Sequence, residues 1–122
     1  MVATIEAPTN TAKVAVQAAR YIADAWKLRR PDLAALLDVK PSTLRHWGDE
    51  PPALRDSILE RVSHLIGIYD DLHHLFGDHP YADEWIRVRN AAFGDRTPLS
   101  LMTHGFTELV RVRDYLENAI AY

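Results

Sequence analysis

Apolar residues recur every three or four positions along most of the chain, which is the spacing of amphipathic α-helices. The longest such segment covers residues 54–76 and is followed by Gly77, a residue type that commonly ends helices. Prolines stand where the first turn of a helix tolerates them, at Pro31, Pro41 and Pro98. Because no run of β-branched residues alternates with polar ones, the pattern predicts an all-α fold of about seven helices.

Capping residues and glycines predict where the other helices begin and end. Asn10 or Thr11 is expected to cap the first helix, a short helix is expected over residues 80–89, and Thr107 is expected to cap the last one. The first helix is expected to bury Val14, Ala18, Tyr21 or Ile22, and Ala25 or Trp26. The three tryptophans, which fall on apolar faces and are expected in the core, are Trp26, Trp47 and Trp85.

Composition limits the class of protein. The chain has 122 residues, of which 48% are hydrophobic and 25% charged, as in one ordinary folded unit or two very small ones. It has no cysteine, which excludes disulfide scaffolds, thiolate metal sites and a cysteine nucleophile. The first ten residues do not resemble a secretory signal, and no apolar run is long enough to span a bilayer. A cytoplasmic location is therefore expected.

Residues 30–49 have the pattern of a helix-turn-helix. Such a motif needs a small residue in its first helix and a turn residue that tolerates a left-handed backbone. Ala34 meets the first need, and Asp38 meets the second because its short side chain can bond locally. The apolar residues expected to join the two helices are Leu33, Leu37, Val39, Leu44 and Trp47.

The distribution of charge is compatible with nucleic-acid binding only in the stretch from Lys27 to Trp47. The net charge of −3 argues against indiscriminate binding of nucleic acid, but five basic residues lie between Lys27 and Trp47. The predicted DNA-binding residues are Lys40, Ser42, Thr43, Arg45 and His46. Arg45 is suited to a guanine edge and Lys40 to a phosphate. A single motif offers few phosphate contacts, so a homodimer is expected.

The C-terminal half resembles a known family. The residues that carry the resemblance are Trp85, Asn90, Phe93-Gly94, Arg96-Thr97-Pro98-Leu99, Leu101-Met102 and Gly105, followed by a closing helix. This order is similar to the toxin-binding domain of MbcA/ParS/Xre antitoxins, in which it follows an Xre-like helix-turn-helix. The resemblance covers about residues 31–122 and implies two parts, a helix-turn-helix domain over 1–60 and a toxin-binding and dimerisation domain over 61–122, joined by a long helix.

The resemblance implies a function without catalysis or a cofactor. Such antitoxins bind a RES-domain toxin that consumes NAD or transfers ADP-ribose from it, block its NAD pocket sterically, and repress their own operon by binding operator DNA. The chain ends in an apolar tail that suits a pocket made for an aromatic dinucleotide, and its arginines could pair with toxin carboxylates. The predicted toxin-binding residues are Arg89, Asn90, Phe93, Arg96, Arg111, Arg113, Ile120 and Tyr122.

Three other interpretations of these residues stay open. The chain could be a stand-alone helix-turn-helix transcription regulator whose C-terminal half dimerises, and its arginines could form an ordinary solvated helix face. A small metal-dependent enzyme is the third, because Asp70 and His74 share a helix face at a spacing used by metal ligands. We expect no metal site, since His near a helix C-terminus is favoured by the helix dipole in any case.

Overall fold

The computed structural model describes the backbone of residues 8–121 and the side chains of residues 11–121. Over this range it consists of α-helices and two 3₁₀ turns without a β-strand, so the all-α prediction is confirmed. The seven α-helices are α1 (Pro8–Ala25), α2 (Arg30–Leu37), α3 (Pro41–Trp47), α4 (Asp56–Phe76), α5 (Tyr81–Glu84), α6 (Pro98–Met102) and α7 (Phe106–Ala121). The 3₁₀ turns are Trp85–Arg87 and Ala91–Phe93.

Prolines and glycines mark helix ends as expected. Helices α3 and α6 begin at Pro41 and Pro98, and Pro31 lies in the first turn of α2. Helix α4 ends at Phe76, where Gly77 takes a φ of 61° that only glycine adopts freely. These boundaries confirm the predictions made from the positions of proline and glycine in the sequence.

Three other boundaries were predicted wrongly. Helix α1 begins at Pro8, before the expected caps, since proline is tolerated in a first turn. Helix α7 begins at Phe106 because the amide of Leu109 donates to the carbonyl of Gly105 at 3.1 Å, which leaves Thr107 inside the helix. The helix expected over 80–89 stops at Glu84 and tightens into a 3₁₀ turn before the chain becomes extended.

The buried face of α1 also differs from the expected one. Val14 and Tyr21 are 64% and 57% exposed, whereas the face that packs inward is rich in alanine. The inward residues of α1 are Ala12, Ala15, Val16, Ala19, Ile22 and Ala23, and Trp26 is buried just past its end. The burial of Ile22 and Trp26 agrees with the prediction, whereas the exposure of Val14 and Tyr21 does not. Small side chains allow two helix backbones to approach closely, and α1 packs against α4; the exposed Tyr21 contacts Tyr69 of α4 at the edge of this packing.

Helix α4 lies at the centre and packs against both α1 and α7. The buried side chains form one connected cluster that includes Trp26, Trp47 and Trp85, so the expectation that the tryptophans belong to the core is confirmed. The predicted division between residues 60 and 61 falls inside α4. It stays a prediction.

Arginine side chains donate hydrogen bonds to backbone carbonyls at or just beyond the C-terminal ends of three helices. Arg20 donates to the carbonyl of Gly48 at 2.7 Å, just beyond α3, and Arg61 donates to the carbonyl of Leu36 in α2 at 3.2 Å. Arg87 donates to two carbonyls at the end of α1 at 2.7 to 3.2 Å. The last carbonyls of a helix have no partner within it, so these bonds join distant parts of the chain at points that need a donor.

Candidate functional site

The turn between α2 and α3 has the backbone that the sequence predicts. Asp38 has φ 58° and ψ 48°, the left-handed conformation, and its amide donates to carbonyls in the last turn of α2. The amide of Val39 donates to the carbonyl of Ala34 at 2.9 Å. Ala34 itself is buried, as a close crossing requires. The assignment of this helix pair as a helix-turn-helix stays a prediction.

The predicted DNA-binding residues lie together on the solvent side of α3. Leu44 and Trp47 form the inward side of the helix, and Pro41 begins it. The predicted residues are exposed with one half-buried exception, and they are Lys40, Ser42, Thr43 (half-buried), Arg45 and His46. A contiguous polar surface with one cation just before α3 and another in its last turn is compatible with contact to DNA.

Residues 90–96 form a tight turn at the edge of the C-terminal half. The amide of Asn90 donates to the carbonyl of Arg96 at 3.1 Å, and the side chain of Asn90 accepts from the amide of Ala92 at 2.9 Å. Gly94 and Asp95 both adopt left-handed backbones. Asn90 thus serves the turn, and Arg96 is placed at its exposed end.

A capped helix follows the turn. The hydroxyl of Thr97 accepts from the amide of Ser100 at 3.1 Å, and Pro98 occupies the first turn of α6. The prediction that Pro98 stands in the first turn of a helix is therefore confirmed. Leu101 and Met102 are buried beneath it, which fixes the turn of residues 90–96 to the core.

Three aromatic rings pack where the turn meets α7. The ring of Phe93 lies 6.4 Å from that of Trp85 and 5.0 Å from that of Tyr115, measured between centroids. Phe93 is 2% exposed, so in this structure its ring supports the turn; its predicted toxin contact stays a prediction. Tyr115 is 38% exposed and was not singled out in the sequence. Its position four residues after Arg111 was the available signal.

Arg89 and Arg111 hold the same turn from its two sides. The guanidinium of Arg111 lies 5.4 Å from the centroid of the Phe93 ring and pairs with Glu108 at 3.3 Å. Arg89 donates to the carbonyl of Asp95 at 3.1 Å. About half of the Arg111 side chain and three quarters of that of Arg89 remain exposed, so both can also reach a partner. We call the exposed surface formed by Val88, Arg89, Arg96, Arg111 and Tyr115 the basic aromatic face.

Arg113 lies in a different environment from the other arginines. It is 24% exposed and is directed toward α4, where it pairs with Glu117 at 3.3 Å and lies 4.0 Å from Asp71. Gly67 provides the space, because a Cβ at this position would overlap the guanidinium. These contacts join α7 to α4. Arg113 therefore has a role within the fold, and its predicted contact with a toxin stays a prediction.

Burial changes the titration of the carboxylate beside Arg113. Desolvation raises the pKa of Asp71 above its usual value, and the charge of Glu117 raises it further, while the guanidinium of Arg113 acts in the opposite direction. Desolvation is the largest of these effects. The carboxylate is therefore costly to keep ionised even with a cation nearby.

The end of α7 is directed away from the core. Leu116 is buried, but the following residues are exposed, and Ile120 is half-buried without joining the core cluster. Tyr122, the last predicted toxin-binding residue, lies outside the described residues. The described part of the tail is thus available to a partner.

The acidic and histidine-rich end of α4 does not gather into a metal site. His73 pairs with Asp83 of α5 at 2.8 Å, while His74 is exposed. Within residues 8–121, no three His, Cys, Asp or Glu side chains are close enough to hold a metal ion together. None of the helices in this range has the length and apolar character needed to cross a membrane.

The C-terminal part of this site matches a described family. Residues 71–120 match the antitoxin Xre/MbcA/ParS C-terminal toxin-binding domain. This range contains the turn of residues 90–96, the capped α6 and nearly all of α7. The protein is therefore an antitoxin of a toxin–antitoxin system, with a toxin-binding C-terminal domain.

A longer similarity extends into the N-terminal half. The chain is 36% identical over 98 residues to Uncharacterized protein y4oB of Sinorhizobium fredii, covering 79% of this chain and 76% of that protein. A match of this extent must include helices before residue 71. The chain belongs to one family with this protein, and its residues 71–120 match the Xre/MbcA/ParS toxin-binding domain.

Proposed function

We propose that this antitoxin neutralises a RES-domain toxin by covering the toxin's NAD pocket with its C-terminal half. It acts by occlusion and carries out no catalysis. In the same proposal the helix pair α2 and α3 binds operator DNA and represses the operon, and the chain functions as a homodimer. The two parts of the molecule correspond to residues 1–60 and 61–122.

The observation that carries the proposal is the basic aromatic face. Its exposed residues all lie within the matched toxin-binding domain, and they surround a turn that is fixed from several sides. Tyrosine and arginine on a rigid support are the residue types that contribute most to protein interfaces. A toxin surface with carboxylates around an apolar entrance complements this face in charge and polarity.

The end of α7 supports the occlusion step. Its last described turns extend past Leu116 with exposed small residues and the half-buried Ile120, so a narrow apolar segment can enter a cavity without unfolding the core. A dinucleotide pocket accepts an aromatic base, which makes an apolar and aromatic tail a suitable plug.

Affinity for the toxin tests the proposal. We expect Arg111→Ala to weaken binding by about 10- to 100-fold, because it removes both a cation and the support of the Phe93 ring. Arg55→Ala removes an exposed arginine outside the matched domain and serves as the control. Binding of a RES-domain toxin is measured by calorimetry with purified proteins. Equal affinities for Arg111→Ala, Arg55→Ala and the natural sequence would contradict the proposed surface.

Operator binding is tested through the pair of cations on α3. We expect Arg45→Ala to reduce discrimination between operator and mismatched DNA by roughly 1–3 kcal/mol, and Lys40→Ala to weaken all sequences about equally. The same behaviour of both variants would contradict the assigned orientation of α3 on DNA.

A stand-alone transcription regulator is the second candidate function. In this candidate the C-terminal half dimerises, and it is favoured by the exposed apolar residues of that half, Ile66, Leu75, Val88 and Tyr115, which are suited to pairing two copies. This candidate predicts tight operator binding without toxin and no effect on toxin activity. Neutralisation of the toxin by the purified chain would reject it.

A further inference from the structure

A cleft of about 390 Å³ lies between the C-terminal end of α1, the start of α2 and the outer side of α3. Four arginines line it, and the carboxylate among its lining residues is Asp24. The lining arginines are Arg20, Arg29, Arg30 and Arg45. We call this site the arginine cleft.

The arginines of the cleft are only partly neutralised by the protein. Arg20 uses its guanidinium to hold the carbonyl of Gly48, and Arg29 lies 3.6 Å from Asp32 while remaining 79% exposed. Within residues 11–121, Arg30 and Arg45 have no ion-pair partner. Gathering like charges costs free energy, and an anion that binds between them removes that cost.

The shape and chemistry of the cleft favour a phosphate group. A guanidinium presents donors in a planar fork that matches two phosphate oxygens. The start of α2 lies on the same side, but the Asp32 carboxylate already accepts there from the amide of Arg29 at 3.3 Å, so the arginines and not the helix dipole supply the attraction. The other lining residues are Ala23, Leu28, Leu33 and Leu44, which give the cleft an apolar floor without a donor for a base.

The location and lining of the arginine cleft favour duplex DNA over a free nucleotide as its ligand. Arg45 lines the cleft and also belongs to the predicted DNA-contacting surface of α3, so the two surfaces are continuous. None of the cleft's lining residues is aromatic, so a nucleobase would find no ring to stack on. We infer that the arginine cleft seats a backbone phosphate of duplex DNA beside the groove that α3 enters, with Arg29 and Arg30 as its contacts. This inference rests on the DNA-binding part of the proposed function.

The dependence of DNA binding on salt tests the inference. The probe is a duplex taken from the promoter of the chain's own operon, and the full chain is titrated by fluorescence anisotropy from 50 to 300 mM salt, a range in which phosphate contacts dominate affinity. We expect the double variant Arg29→Ala/Arg30→Ala to bind about tenfold more weakly at 100 mM salt. Its slope of log K against log salt should fall by about 1 to 2, since each neutralised phosphate contributes about 0.9.

Two control variants distinguish a specific contribution of the cleft arginines to DNA binding from the effect of total charge. Arg29→Lys/Arg30→Lys keeps both charges and should retain the natural slope while losing part of the affinity. Lys13→Ala/Arg55→Ala removes the same total charge outside the cleft and should leave the slope unchanged. Circular dichroism confirms that each variant is folded, which is expected because the replaced side chains are largely exposed.

The outcomes distinguish this inference from the proposed function. If the natural chain binds the promoter and Arg29→Ala/Arg30→Ala has the same slope, the arginine cleft is refuted while operator binding stands. If the natural chain does not bind duplex DNA at any salt concentration, both fail, and toxin neutralisation is unaffected. Saturable binding of inorganic phosphate or ATP, lost in the same double variant and without DNA binding, identifies a free ligand and overturns the assignment to DNA.

Discussion

Gly67 lies in the middle of α4, where glycine normally weakens a helix, and its replacement gives a sharp test of the contact between α4 and α7. Alanine is favoured over glycine in a helix interior by about 1 kcal/mol. At this position, however, the new methyl group would displace the guanidinium of Arg113. The two effects act in opposite directions, and the structure indicates their sizes.

The displaced guanidinium would leave Asp71 without its nearby cation. The two side chains are 24% and 19% exposed, between the surface pairs that contribute up to about 1 kcal/mol and the buried pairs whose disruption costs about 3–5 kcal/mol. We take about 1–2 kcal/mol for this loss. Gly67→Ala should therefore destabilise the natural protein by about 0.5 kcal/mol after the gain in helix propensity.

The effect of Gly67→Ala on stability should change sign when Arg113 is absent. In an Arg113→Ala background the methyl group at position 67 meets no guanidinium, so Gly67→Ala should stabilise by about 1 kcal/mol. The double-mutant cycle is measured by urea unfolding followed by circular dichroism, and a coupling of about 1–2 kcal/mol is expected. An equal gain from Gly67→Ala in both backgrounds would refute the close approach of Arg113 to α4.

Three further measurements test other contacts. Arg87→Ala should lower the free energy of unfolding by about 1–2 kcal/mol, because it removes the charged donor at the end of α1, whereas Arg55→Ala should change it little. Asp71 has a raised pKa in the folded state, so its contribution to stability is present below its unfolded pKa and is lost as the pH rises through its folded pKa. Asp71→Asn should therefore gain stability relative to the natural protein as the pH rises above about 4, and the opposite trend in urea titrations would contradict this sign. The hydrogen bond with Tyr21, and to a smaller extent burial, raises the pKa of Tyr69 to about 12. Absorbance at alkaline pH should therefore show one tyrosine that ionises late. Tyr21→Phe should bring the pKa of Tyr69 toward the ordinary value of about 10.

The fold could be predicted from local rules because its helix ends are set by local residues. Pro41, Gly77 and Pro98 each impose a backbone preference on their own neighbours, and Asp38 tolerates a left-handed turn. The buried face of α1 could not be predicted in the same way. Val14 is as apolar as the residues that replaced it, and the choice depended on how closely an alanine-rich face can approach α4.

The candidate site was predictable where a side chain acts on its own turn. The start of α6 was found because the signals of Thr97 and Pro98 are local in sequence, whereas Asn90 was singled out through the family resemblance and its local hydrogen bond is seen only in the structure. The environment of Arg113 was not predictable, because Gly67 and Asp71 lie more than forty residues away in the chain and only packing brings them together. The exposed Tyr115 was missed although it lies four residues after Arg111, and its packing against Trp85 is visible only in the structure.

The central proposal, occlusion of an NAD pocket by the C-terminal tail, is tested most directly by the NAD content of cells. A RES-domain toxin that this chain binds is co-expressed with either the full antitoxin or a variant that lacks residues 118–122 but keeps the buried Leu116. We expect the full chain to restore NAD and growth, and the shortened chain, shown to be folded by circular dichroism, to leave NAD depleted. Full restoration of NAD by the shortened chain would contradict the plugging of the pocket by the tail.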